Sequence, residues 1–210
     1  ELEAIKAIGD EHLLTWGTEG FQDDSFNTDS SLTTTTIRLP FPPFERVSTT
    51  TDTVANAPNA RHSSGGLFAQ NEWTPSARLR VGGGLRYQKT QTRAERTPGW
   101  EISGLDFDDD ALVGSLTATW QLMPELNVVA SYGTAFRAPS IIERLFNGVT
   151  PEGDGFQILN RDLASETSNN YEVGLKYRRR NAFLEAVFFR TEVDQGVVQH
   201  FLSGAEIAAL

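Results

Sequence analysis

The chain has 210 residues, a formal net charge of −10 and no cysteine. Without cysteine there is no disulfide framework and no thiolate metal site, and the acidic balance argues against nucleic acid, whose phosphates need clustered Lys and Arg. No apolar run approaches the ~18 residues of a membrane-crossing helix, but a barrel strand needs only about ten residues of alternating hydrophobicity and stays open on this evidence.

Taken in chain order, the segments alternate with period two. Residues 12–22 and 65–73 do so weakly. In residues 78–88, Leu79, Val81, Gly83, Leu85 and Tyr87 share one face, opposite Arg78, Arg80, Gly82, Gly84, Arg86 and Gln88. An apolar face backed by an arginine-lined one predicts a strand with water on its polar side. Leu112 to Trp120, Leu126 to Tyr132 and Tyr171 to Tyr177 repeat the pattern, and residues 182–193 do so weakly.

The connections are unequal. Short turns are expected at Gly9-Asp10, Thr74-Pro75-Ser76, Leu122-Met123-Pro124-Glu125 and Arg179-Arg180-Asn181. Long polar segments at 24–64, 94–110 and 137–168 alternate with them. In an up-and-down sheet this puts every turn at one end and every long loop at the other, the plan of an outer-membrane barrel. Trp73, Trp120, Tyr87, Tyr132, Tyr171 and Tyr177 near strand ends suit interfacial girdles. The competing reading is a soluble β-sandwich binding module. Against it stand the long strands and Arg78, Arg80 and Arg86 on one face, costly in a dry core.

Residues 136–140 read FRAPS. They are followed by NRDLASETSNNYEVGLKYR (160–178) and AFLEAVFFRTEVDQGVVQ (182–199), and preceded by GLFAQNEWTPSARLRVGGGLRYQ (65–88). In this order and spacing the segments resemble the C-terminal barrel of TonB-dependent outer-membrane receptors. The likeness covers 65–200 well and the first 64 residues by pattern alone, with HLLTWGTEGFQDD (12–24) as an earlier strand. Positions matching the family's motifs are Phe136, Arg137, Ala138, Pro139, Ser140, Asn160, Leu163, Glu166, Tyr171, Glu172 and Gly174. Arg161 and Ala164-Ser165 depart from it, replacing family prolines that restrict the chain. No His lies in 140–159, which counts against haem ligation by this loop.

The resemblance implies an all-β, antiparallel up-and-down transmembrane barrel, partial here, with about eight or nine strands across residues 1–210. With non-Met Glu1 first and Leu210 last, the chain is expected to be a later-middle piece of a receptor whose plug domain lies elsewhere. The implied function is uptake of a bulky nutrient, a ferric siderophore first among them, in the outer membrane of a Gram-negative bacterium. Implied partners are membrane lipid and lipopolysaccharide, the ligand, and TonB through the missing N-terminal part, with no nucleic acid and no cofactor. The alternative within the membrane is a self-contained small barrel acting as adhesin, structural protein or hydrolase.

In this reading Arg137 ends a strand at the rim, Pro139 stops the ladder for want of an N–H, and 140–168 forms an extracellular loop. A rim arginine suits anionic ligands, or else pairs with a neighbouring Glu and fixes the loop. Phe136, Arg137, Glu143, Arg144, Asn160 and Asp162 are the candidate ligand contacts.

Other features carry less. Gly82-Gly83-Gly84 lies inside a strand, not in a phosphate loop, and relieves crowding. Asp106, Asp108, Asp109 and Asp110 read as a solvated loop end before a divalent-cation site. His12, His62 and His200 are too scattered for zinc. Arg178-Arg179-Arg180 caps a turn. The Thr runs 33–36 and 49–53 with Pro40 to Phe44 read as a flexible loop, Phe41 and Phe44 touching ligand or packing on the rim. There is no nucleophile–base pair or Gly-x-Ser-x-Gly elbow, so an enzyme is not expected.

Overall fold

A computed structural model describes residues 1–41, 44–149, 155–198 and 200–203. The elements in chain order are β1 (Leu2–Ile8), β2 (His12–Ser25), β3 (Ser30–Leu39), β4 (Phe44–Thr53), β5 (Ala60–Ser76), β6 (Leu79–Ala94), β7 (Asp106–Met123), β8 (Leu126–Arg137), α1 (Ile141–Leu145), β9 (Gly148–Val149), β10 (Phe156–Gln157), β11 (Glu166–Arg179) and β12 (Ala182–Asp194). Eight of the strands form one antiparallel sheet in the order β1-β2-β5-β6-β7-β8-β11-β12, open at both edges, while β3–β4 and β9–β10 are separate two-stranded hairpins. The all-β, up-and-down architecture therefore agrees with the alternation in the sequence.

Register carries the two faces across the sheet. Leu67 opposes Tyr87 and Tyr87 opposes Leu112; Leu116 opposes Tyr132 and Tyr132 opposes Tyr171. All lie on one apolar face, and that face is bare: Leu67 is 62% and Leu112 67% exposed. Such a surface has no place in water at this extent. Trp73, Trp120 and Tyr177 sit on it near the turns and Tyr87, Tyr132 and Tyr171 nearer the loops, with the Tyr132 and Tyr171 rings 5.1 Å apart. The opposite face is polar. Arg86 reaches across β5 to Glu19, which is feasible because Gly66 lies between them: a Cβ there would come within 3.2 Å of the Arg86 Nη2. Lys176 pairs with Glu185 at 2.9 Å, and Gln88 donates to Ser64 at 3.0 Å. Among the described residues no helix is long and apolar enough to cross a membrane.

Strands run further than the sequence suggested. The strand expected over residues 77–93 agrees with β6, which ends at Ala94, whereas β2 continues past Gln22 to Ser25 and β7 begins at Asp106, ahead of the expected Leu112. Apolar alternation stops there because cross-strand ion pairs replace apolar contacts: Arg61–Asp24 at 2.7 Å, Arg61–Glu95 at 3.2 Å and Arg93–Asp108 at 3.3 Å. Asp106 to Asp110 thus belong to a strand, with Asp106, Asp108 and Asp110 on one face, where Arg93 pairs with the first two, and Asp109 on the other; among the described residues no group of three or more acids and histidines could hold a metal. The expected segments 24–64, 94–110 and 137–168 shrink accordingly. The first is not a plain loop, since its Thr runs pair over ten positions as β3 and β4, β-branched side chains favouring extended backbone. Pro75 sits in the β5 irregularity between Trp73 and Ser76, moving that turn to 77–78. β1 precedes the turn expected at Gly9-Asp10, with Lys6 interrupting its apolar face.

Apart from Thr15, Gly66 and Gly174, the described buried residues are not in the middle of the sheet. Ala55, Ala57, Ala60, Thr90, Thr92, Thr97, Leu105 and Leu145 gather at the loop end, where the three long connections meet.

Candidate functional site

The loop end is built outward from β8. After Arg137 the chain turns at Pro139, which is fully buried and donates no ladder bond. Ser140 then caps α1: its Oγ accepts from the Glu143 backbone N–H at 3.2 Å, and Glu143 accepts from the Ser140 N–H at 2.7 Å. This reciprocal capping box starts a helix of five residues, too short to persist on its own.

Two ion clusters hold it. Arg137 donates Nη1 and Nη2 to the Glu143 carboxylate at 2.9 and 3.1 Å, and Nε to Glu166. Glu166 opposes Arg137 in the β8–β11 register and also accepts from the Val197 N–H at 2.6 Å. The guanidinium beside it pulls the Glu143 carboxyl down to about 2, helped by the Ser140 N–H. Arg137 likewise lowers Glu166, aided by Val197, and the two carboxylates raise Arg137 above its ordinary value.

The second cluster is buried. Arg144 is 3% exposed and grips Asp109 of β7 in bidentate fashion, at 2.6 and 2.8 Å, while Nη2 also donates to the Leu163 carbonyl at 2.9 Å. Ser165 Oγ donates to the same Asp109 at 2.7 Å, and the guanidinium lies 4.7 Å over the Phe107 ring. Arg144, then Ser165, hold the Asp109 carboxyl below its usual range against the opposing cost of burial. Arg137, Glu166, Asp109 and Phe107 all occupy polar-face positions of their strands. The connection after β8 therefore leans over that face.

Its neighbours lock onto it. Asn147 N–H donates to the Asn56 carbonyl at 2.6 Å. Trp100 Nε1 donates to the Ala55 carbonyl at 2.7 Å, and Asn59 N–H to Thr97 Oγ1 at 2.7 Å. Gly148 suits this approach, since a Cβ would lie 2.3 Å from Asn56 Oδ1 and force that side chain to move. The three connections thus form one cap, from which the β3–β4 hairpin projects with Phe41 91% exposed.

The sequence candidates separate into two sets. Arg137 and Glu143 come together as a pair, so the arginine's donors face carboxylates of its own chain. Arg144 is not the exposed rim residue expected; its guanidinium is enclosed because Asp109 and Phe107 rise beneath it. Phe136 is half-buried on the apolar face, opposite Thr167. Asn160 and Asp162 are exposed; Asn160 N–H donates to the Arg144 carbonyl at 3.1 Å and its Oδ1 accepts from the Asp162 N–H at 3.0 Å. Of the motif positions, Ala138 and Leu163 are half-buried, Gly174 is buried, and Tyr171 and Glu172 point to opposite faces of β11. Ser165 and Phe107 are not among the sequence candidates, and Asp109, expected as part of a solvated loop end, is instead the partner of Arg144. Counting back from Leu112 by twos puts Asp108 and Asp110 on the apolar face and Asp109 on the other, so the separation was available in the sequence.

His12 and His62 lie at opposite ends of the sheet. His12 stacks on Trp73 at 5.8 Å at the turn end, while His62 meets Thr92 at 3.1 Å near the cap.

The family model described as TonB dependent receptor-like, beta-barrel matches residues 5–205. Among solved structures, the chain is similar to the hemophore receptor HasR of Serratia marcescens, in complex with its hemophore HasA and heme (TM-score 0.56, 21% identity, 87% of this chain and 33% of that one). It is also similar to the copper transporter OprC (0.60, 16%, 88% and 28%) and the FrpB iron transporter from Neisseria meningitidis (0.60, 12%, 91% and 27%). At these identities the likeness is one of fold. The chain spans a third or less of the length of each of these structures.

Proposed function

This chain belongs to the TonB-dependent receptor-like β-barrel family, and from that premise we propose that it forms wall and ligand-facing loops of an outer-membrane transporter for a bulky nutrient, a ferric siderophore foremost. The observation that supports this best is the two-faced sheet with all its long connections gathered at one end. A bare apolar face suits lipid, and a polar face suits a water-filled or plugged lumen. The connections 26–59, 95–105 and 138–165 are the extracellular side, beside lipopolysaccharide, and the turns are periplasmic. Energy from TonB enters through a part of the receptor outside this chain. The role is transport and not catalysis. Solved relatives carry names for heme, copper and iron; the lack of His in 140–159 favours an iron chelate over haem.

Within the loop, Asn160 and Asp162 are the proposed ligand contacts, while Arg144 and, through α1, Arg137 and Glu143 position them; Phe136 faces the apolar side. The test is uptake of radioiron chelates by iron-starved cells that have this receptor as their sole iron receptor, with and without TonB. TonB-dependent accumulation of a chelate is the expected result. Accumulation of none, or accumulation indifferent to TonB, would overturn the proposal.

A further inference from the structure

The two ends of the sheet treat arginine differently. At the loop end Arg61, Arg93, Arg137 and Arg144 are each paired with carboxylates of the chain. At the turn end Arg78, Arg80, Arg178, Arg179 and Arg180 are exposed and make no ion pair among the described residues. Arg80 shares a shallow hollow with Asp10, Glu11 and Glu72, and Arg178 lies on the polar face with its guanidinium 5.6 Å over the Phe183 ring. That leaves Arg78, Arg179 and Arg180. Arg46, Arg96 and Arg161 are exposed and unpaired too, but they stand singly on three different connections of the cap.

These three stand where the apolar face ends. Arg179 closes β11 two residues beyond Tyr177 on the same face, about 7 Å further along the strand, opposite Ala182. Arg180 is in the turn that follows. Arg78 is in the β5–β6 turn beside Leu79, whose cross-strand neighbour is Trp120, and its carbonyl accepts from the Gln121 N–H at 2.8 Å. Tyr and Trp at such positions sit at the level of lipid headgroups. A guanidinium on a long stem just beyond them reaches the phosphate layer, and offers a phosphate two parallel N–H donors. We propose that Arg78, Arg179 and Arg180 bind headgroup phosphates of the phospholipid leaflet on the turn side, with preference for anionic headgroups. The contacts hold the turns at that surface and set the depth of the sheet in the membrane.

This inference rests on the membrane reading above, and its test keeps the two apart. The full-length receptor is placed in phosphatidylcholine vesicles carrying a trace of spin-labelled phosphatidylglycerol or phosphatidylcholine. Electron paramagnetic resonance then reads the fraction of each label immobilised at the protein. Phosphatidylglycerol is expected to be favoured roughly threefold, for three cations shared among several headgroups, and most of the preference should vanish in about 1 M salt. Arg78→Gln, Arg179→Gln and Arg180→Gln together should bring the ratio close to one. Arg46→Gln, Arg96→Gln and Arg161→Gln together remove the same charge from the other end and should leave the ratio unchanged. No preference in the unaltered receptor, as when carboxylates elsewhere in the receptor occupy these guanidiniums, overturns the proposal, and so does an equal loss in both triple variants. A preference abolished by inorganic phosphate, but not by chloride at equal ionic strength, overturns it in favour of a free-phosphate site. Each of these leaves the barrel standing. A receptor that does not float with the vesicles in alkaline carbonate overturns the membrane reading as well.

Discussion

Replacing Arg144 by Met keeps an unbranched apolar stem and removes the guanidinium that Asp109 faces. Asp109 would retain only the Ser165 hydroxyl at 2.7 Å, with its side chain 11% exposed. Leaving one member of a buried pair uncompensated costs about 3 kcal/mol, and the bond to the Leu163 carbonyl is lost in addition. The cost falls on the cap and not on the sheet, because the pair joins α1 to one strand end. A local loss of about 3 kcal/mol lowers amide protection roughly a hundredfold. Hydrogen exchange on the detergent-solubilised protein should show this at Asn147 and Asn160, whose N–H groups bond Asn56 and Arg144 carbonyls. Val173 in β11 should exchange as before. Adding Asp109→Asn to Arg144→Met should recover much of the loss, because the stranded charge is gone. Unchanged exchange at Asn147 and Asn160, or purely additive single and double variants, would refute the latch.

Three further outcomes are expected. The Glu143 carboxyl is depressed from 4.5 to about 2 in the folded cap, so its contribution is complete above pH 4.5 and disappears as pH falls toward 2; hydrogen exchange at Phe146 and Asn147, corrected for the intrinsic pH dependence of exchange, should show protection falling in that window and flat from pH 5 to 8. Gly148→Ala drives a Cβ into Asn56, costing about 1–3 kcal/mol of overpacking, which should appear as faster exchange at Asn147 with an unchanged sheet. Replacing residues 30–53 by a short Gly-Ser turn should leave the thermal midpoint of the sheet within experimental error, since the described side chains of that hairpin are exposed; a large drop would show that the hairpin packs on the barrel.

Much of the sheet was legible because its physics is local. One apolar and one polar face per strand is written into every second residue from Leu79 to Tyr87 and from Tyr171 to Tyr177, and antiparallel register follows once turns are short. The ends were not legible for the same reason. Where Asp24 meets Arg61 and Asp108 meets Arg93, the strand is held by residues that read as loop unless their partner is known. The cap lay further out of reach. FRAPS announces a strand end but not the capped helix that follows it, and Arg144 finding Asp109 is a contact across 35 positions. Arg137 shows the limit most plainly, since a rim cation and a loop clamp have identical sequences and only the positions of Glu143 and Glu166 decide.

The central claim is that the cap stands on the outer side of a membrane whose lipid meets the apolar face. The chain has no cysteine, so single cysteines report without background. Thr34→Cys on the projecting hairpin and Asn181→Cys in the β11–β12 turn should be exposed to a membrane-impermeant maleimide added to intact cells on opposite terms. The account predicts labelling of Thr34→Cys at once and of Asn181→Cys only after the outer membrane is permeabilised. Immediate labelling of Asn181→Cys, with Thr34→Cys protected, would contradict it.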